Sequence, residues 1–161
     1  AQYSEWHYEG SLDWHMLENP YHSKLQKMLS DLNLIYKNQK ALHQYDEKQI
    51  GFEWIDNGDY QHNCISYIRK SDNEEDNIYV LCNFSDAQRS QYKLGVPYDG
   101  EYEEIFNSDD EKYWGSNQTM KKDTLHAIDE KWHNKPYHIR IKVPPLGATF
   151  IKMKKRYKGN V

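Results

Sequence analysis

The stretch His138-Ile139-Arg140-Ile141-Lys142-Val143 decides the fold class. Polar and aliphatic residues alternate in it without a break. Successive side chains of an extended chain point to opposite faces, so one face of this segment is wet and the other buried. Working outward, strand-like runs recur at 52–55, 64–69, 78–84, 91–96, 102–107, 125–128, 137–143 and 148–153. Turn residues separate them at Asp56-Asn57-Gly58, Ser71-Asp72-Asn73, Asp99-Gly100 and Pro144-Pro145. Short antiparallel strands at this spacing predict a mainly β fold, an antiparallel β-sandwich.

Upstream the period changes. Over 21–38 the apolar residues Leu25, Met28, Leu29, Leu32, Ile35 and Tyr36 recur at helical spacing. Pro20 and Ser23 supply helix-start chemistry, and Lys37 suits the negative end of the helix dipole. Residues 1–20 read as loop, punctuated by Gly10, Ser11 and Asn19-Pro20. The helix stripe is too apolar to be left in water. It packs on the sandwich or on a neighbour outside this chain.

Composition narrows the function classes. The 161 residues suit one domain, or one domain and part of another. Aromatic content is 14%, with 14 Tyr, which favours sheet over disorder. A formal net charge of −4 gives no basic face for nucleic acid. No apolar run approaches the ~20 residues of a membrane span. Cys64 and Cys82, the two cysteines, lie in apolar strand runs. They read first as reduced core residues of a cytoplasmic protein and second as a bridge. The charge run at 71–77 and the basic end at 152–158 read as solvated surface. Of the 25 acids, the neighbours Glu103-Glu104 and Asp109-Asp110-Glu111 also read as surface charge. Adjacent strand residues point to opposite faces and do not form a catalytic pair.

The segment 5–15, Glu-Trp-His-Tyr-Glu-Gly-Ser-Leu-Asp-Trp-His, is dense in aromatics and acids. His7, His15, Glu5 and Asp13 are suitable metal ligands by type, but their spacing matches no zinc pattern such as H-E-x-x-H. No metal and no cofactor is expected.

Seven segments in one order carry a resemblance. Glu5-Trp6 with Ser11-Leu12-Asp13-Trp14-His15-Met16-Leu17 resembles the segment after the eighth barrel strand of glycogen branching enzymes. Asp31-Leu32-Asn33-Leu34-Ile35-Tyr36 with Ala41-Leu42 is similar to that family's last barrel helix. Gly51-Phe52-Glu53-Trp54-Ile55, Cys82-Asn83-Phe84, Tyr92-Lys93-Leu94-Gly95-Val96-Pro97, Ile105-Phe106-Asn107-Ser108-Asp109 and Pro144-Pro145-Leu146-Gly147-Ala148 are similar to its C-terminal all-β domain. After Tyr113-Trp114-Gly115-Ser116-Asn117 many members continue with a glycine-rich turn. Here Gln118-Thr119-Met120-Lys121-Lys122 follows, which leaves the shape of that loop open.

The resemblance implies a C-terminal fragment. Residues 1–46 would be the last loop and helix of a (β/α)₈ barrel, and 47–161 the C-terminal β-sandwich domain. It also implies a reaction for the whole enzyme. An Asp attacks the anomeric carbon of an α-1,4-glucan, with a Glu as acid and then base. A 6-hydroxyl of another glucan takes the chain and makes an α-1,6 branch. Such chemistry needs two carboxyls ~5 Å apart. In this family they sit on earlier barrel strands, so no catalytic residue is expected here.

Active sites of such barrels lie in the loops after the strands. Trp6 and Trp14 are therefore candidates to wall a glucan groove, and Asp13 to bind a hydroxyl or fix the loop. Both Trp have packing between barrel and β domain as the other reading. Trp54 shares a face with Phe52. It is read as a remote glucan contact or as a buried tryptophan. The expected partners are α-glucan, the absent barrel, and a second copy through an exposed 21–38 helix. Two other functions stand beside this one: a stand-alone carbohydrate-binding module, and a purely structural β domain.

Overall fold

The computed structural model describes residues 3–120 and 123–157. Lys121, Lys122 and Lys158, which belong to the divergent loop and the basic end, lie outside the described residues. Eight strands form: β1 (Phe52–Asp59), β2 (Cys64–Arg69), β3 (Ile78–Asn83), β4 (Arg89–Val96), β5 (Gly100–Asn107), β6 (Leu125–His126), β7 (Tyr137–Val143) and β8 (Gly147–Arg156). They make two antiparallel sheets of unequal size. The larger has the order β1-β2-β3-β8-β5-β6, and the smaller is the pair β4-β7.

The inner faces enclose one core. Leu81, Leu94, Val96, Ile139, Ile151 and Tyr102 are all fully buried in it. Tyr79 and Tyr102 meet edge to face at 5.7 Å, a favoured geometry for buried rings. Alternation in β7 holds for Ile139, Ile141 and Val143, which face this core, and for exposed Arg140. His138 departs from the expectation of a wet face, being fully buried. Ile128 bridges to it through paired backbone hydrogen bonds, and Glu130 O lies 3.1 Å from its Nδ1. The chain after β6 therefore covers the outer side of β7 at this residue.

The two cysteines cannot bridge in this fold. Cys64 packs in the inner core while Cys82, on the next strand, packs on the outer face of the large sheet. Burial pushes the Cys64 thiol up to about 11, which makes it a core residue rather than a reactive thiol.

Helix α1 (Pro20–Asn38) starts where Pro20 fits the first turn and Asn19 accepts a hydrogen bond from Tyr21 N. The helix and the turn after it form a third layer on the outer face of the large sheet. Ala41 and Leu42 are buried against Ile78 and Val80, with Ile35 packed beside them. Arg69 of β2 pins this layer by donating to Leu42 O at 3.2 Å and pairing with Asp46. No residue of α1 itself is fully buried.

Two of the acidic neighbours are not surface charge. Glu104 is buried and accepts from Asn107 Nδ2 at 2.9 Å and Met120 N at 3.2 Å. Asp110 is buried and caps the turn Glu111–Tyr113 through Lys112 N. Both acids serve backbone donors that the irregular 108–120 segment leaves without ladder partners.

Candidate functional site

Three aromatic or polar features reach the surface. The first is an apolar groove of about 360 Å³ between the opening loop and α1. Met16, buried in the short helix Trp14–Glu18, anchors the loop. Trp6, Asp13 and Trp14 line the groove on one side, and Leu25 and Leu29 of α1 on the other. Trp6 is 61% exposed and Trp14 60% exposed. Ser4 Oγ donates to Asp13 Oδ2 at 3.0 Å, so this carboxylate helps fix the loop. The predicted α1 stripe is split. Met28, Leu32 and Ile35 are half-buried, whereas Leu25 and Leu29 open into the groove.

The second feature lies on β1, the edge of the large sheet. Trp54 does not join Trp6, Asp13 and Trp14. It pairs in register with Tyr67 of β2 and sits edge-on to Phe52 at 4.8 Å. Phe52 stacks on Tyr67 at 5.2 Å. Phe52 and Trp54 share a face, as alternation requires, but neither covers the core: both are exposed, Trp54 by 48%. Tyr67 is the ring that packs beneath the helix layer, against Ala41, Leu42, Ile78 and Val80 on the outer face, whereas Ile55 fills the inter-sheet core. Glu53, between them in sequence, holds the edge strand through Lys70 at 2.9 Å and through Lys135.

The third feature is a polar cleft that the sequence reading does not contain. The sandwich is closed on one side, where β6 pairs with β5 and Ile128 bridges to β7. On the other side the edge strands β1 and β4 face each other across a gap. The tight turn Trp132-His133-Asn134-Lys135 fills part of it. Both central residues have positive φ, 49° and 58°, as a type I′ turn demands. Gly95 of β4 lets the turn approach: a Cβ there would lie 2.4 Å from Trp132 O. Beyond the turn a cleft of about 890 Å³ remains.

Its walls carry linked polar groups. Asp59 accepts from Tyr92 Oη at 3.0 Å and meets His62 Nδ1 at 2.7 Å. His133 Nε2 lies 3.3 Å from Asp56 Oδ2. Burial lowers the His133 pKa, with Asp56 opposing, and burial with the Asp59 bond raises that of Tyr92. β1 shifts register on both sides of Asp56, and β4 between Arg89 and Tyr92. These irregularities turn the edge residues toward the gap.

No group of three or more His, Cys, Asp or Glu suited to a metal occurs among the described residues. No helix is long and apolar enough to cross a membrane among them.

Residues 54–154 match the family model of the alpha amylase, C-terminal all-beta domain. The chain belongs to this family. Among curated relatives, the 1,4-alpha-glucan branching enzyme of Halothermothrix orenii is 41% identical over 152 residues, covering 94% of this chain and 24% of that protein. The enzyme of the same name from Aquifex aeolicus is 39% identical, with the same coverage. That of Pseudoalteromonas atlantica is 37% identical over 159 residues, covering 99% of this chain and 21% of the relative. The chain thus spans about a quarter or less of the length of these relatives. Among solved structures, an alpha-amylase from H. orenii matches 74% of this chain and 18% of its own, at 13% identity and a TM-score of 0.42.

The polar cleft, and the β1 feature from Trp54 onward, fall inside the matched all-β domain, and the apolar groove falls before it. The cleft was missed because its polar residues come from three separated segments, 56–62, 88–93 and 132–133. The one local signal was His133-Asn134, a turn pair between two strand runs.

Proposed function

We propose that this chain is the C-terminal part of a glycogen branching enzyme of the cytoplasm. In this reading the whole enzyme cleaves α-1,4-glucan and transfers the chain to a 6-hydroxyl, making α-1,6 branches. The observation that carries it is 41% identity to a branching enzyme over 94% of this chain. Residues 1–46 then complete the catalytic barrel, and 47–161 form the C-terminal domain that supports it.

The apolar groove supports this division. Trp6, Trp14, Leu25 and Leu29 are exposed together on the layer assigned to the barrel. A contiguous apolar surface of this kind marks an interaction site. The missing barrel would cover Leu25 and Leu29, leaving Trp6, Asp13 and Trp14 at the rim of the glucan groove. Without the barrel, a second copy covers the same face. Trp54, with Phe52 and Tyr67 behind it, is a remote glucan contact. Rigid, half-exposed rings of this kind present a flat apolar surface to a sugar face.

The catalytic carboxyls belong upstream, so this chain alone does not branch glucan. The test is an assay for new α-1,6 linkages in amylose, with the purified 161-residue chain and with the same chain joined to its upstream coding sequence. No branching by the first and branching by the second is the expected result. Branching by the short chain overturns the division of labour, and none by the long one overturns the assignment.

A further inference from the structure

The gap between the edge strands β1 and β4 has no part in the reading above, and we infer that it is a carbohydrate-binding cleft, distinct from the Trp54 face. Its size, about 890 Å³, is that of a pocket for a small organic ligand. Its chemistry selects the ligand class. Asp56 and Asp59 offer acceptors, and the same cleft holds the Arg89 guanidinium, whereas Lys93 on its wall is already paired with Glu130 at 2.9 Å. An anion would meet the two carboxylates, and an organic cation would meet Arg89. An uncharged polyhydroxyl ligand meets neither penalty, because each hydroxyl both donates and accepts.

The donors and acceptors are held in advance. Asp59 is fixed by Tyr92 and His62, and Asp56 by His133. The buried Arg89 Nε has no hydrogen-bond partner among the described residues, a group for which a ligand oxygen is a natural acceptor. Trp132 supplies an apolar wall. Lys93 Nζ, 4.7 Å from the ring centroid, steadies the indole, which remains 40% exposed. Tyr60, at the β1–β2 turn, is 86% exposed at the mouth. Preset polar groups beside an aromatic wall suit a sugar, whose rim is polar and whose faces are apolar. That the sugar is an α-1,4-glucan rests on the reading in the previous section.

The test is an NMR titration of the ¹⁵N-labelled 161-residue chain with maltoheptaose, and separately with cellohexaose and inorganic phosphate. With maltoheptaose, saturable shifts are expected at the Trp132 indole N–H and at amides of 58–62 and 89–93. Arg89→Ala and Trp132→Ala should weaken the affinity at these resonances at least tenfold. Tyr60→Ala, at a site too exposed to affect folding, should weaken it several-fold with an unchanged melting temperature. A response to cellohexaose alone leaves the cleft a sugar site and counts against the α-glucan reading. Shifts confined to the Trp54 or Trp14 regions overturn the cleft and leave that reading intact. A response to phosphate without either sugar also overturns the cleft as a carbohydrate site.

Discussion

The inter-sheet core and the α1 layer are built in opposite ways. In the core, aliphatic and aromatic side chains from both sheets are fully buried, and apolar contact does the holding. In the α1 layer no helix residue is fully buried, and directional contacts dominate. Asp31 accepts from Tyr113 Oη at 2.7 Å and pairs with Lys112 at 3.0 Å and with Lys27. Lys24 donates to Glu111 O at 3.0 Å, and Tyr21 packs on Trp114 at 3.8 Å. The core is complete within the described residues. The helix layer is moored by polar groups along one side and leaves Leu25 and Leu29 open on another. A surface finished by a neighbour would be built this way.

The largest expected effect breaks the core. Ile139→Ala removes buried methylene and methyl groups where nothing can collapse cheaply, and should cost about 2–5 kcal/mol in urea unfolding. Leu29→Ala, on a residue 51% exposed, should cost no more than about 0.5 kcal/mol. Equal costs at the two sites would refute the contrast between the layers.

The next effect is on the polar mooring. The bonds from Lys27, Tyr113 and Lys112 hold the Asp31 carboxyl far below the usual range. A carboxyl depressed in the fold stabilises above the unfolded pKa of about 3.9, and that contribution is lost as pH falls through its folded value. Asp31→Asn should cost about 1 kcal/mol at pH 7, after allowance for solvent screening. It should also flatten the acid limb of the melting curve below about pH 4. Hydrogen exchange should localise the loss to α1 and 109–117. An acid limb unchanged by the substitution would show that the mooring is not electrostatic.

How legible each region was follows from the same contrast. All eight strands could be placed from alternation and turn residues, because the core reads one side of each strand. Ends were less visible: β8 runs to Arg156, past the last residue facing the core, where pairing with β5 rather than burial continues it. Alternation misassigned His138, since the chain after β6 that covers it is not encoded near it. It placed Phe52 and Trp54 on one face but not that both stay exposed while Tyr67 beside them is the ring covered, because the covering residues, Ala41 and Leu42, lie outside the strand. Glu104 and Asp110 read as surface because the backbone donors they serve lie in an irregular loop. The polar cleft depends on two sheet edges meeting, a property of topology rather than of any one segment.

A smaller effect sharpens the comparison at the sheet edges. Burial holds the His133 pKa below its ordinary value, with Asp56 only partly opposing. The unfolded chain, at about 6.5, takes up a proton before the folded one does. The contribution of His133 is therefore present above about pH 6.5 and declines as pH falls toward the folded pKa. His133→Asn, which retains a residue that tolerates the positive φ of this turn, should remove that slope between pH 7 and 5. Identical slopes with and without the histidine would show that it is not buried enough to matter.

The smallest expected stability effects belong to the residues with the most to do at the surface. Trp14→Ala and Trp54→Ala remove rings that are 60% and 48% exposed. Each should change unfolding free energy by no more than about 0.5 kcal/mol. Their affinities should separate. Trp54→Ala should weaken maltoheptaose binding by the 161-residue chain, because Phe52 and Tyr67 hold its ring without help from outside. Trp14→Ala should leave that affinity unchanged and weaken glucan binding only in the chain joined to its upstream sequence, where the opposite wall of the groove is supplied. If Trp14→Ala weakens binding by the short chain to the same degree, the N-terminal layer is itself a finished site. The contrast between a complete β domain and an unfinished helix layer would then fail.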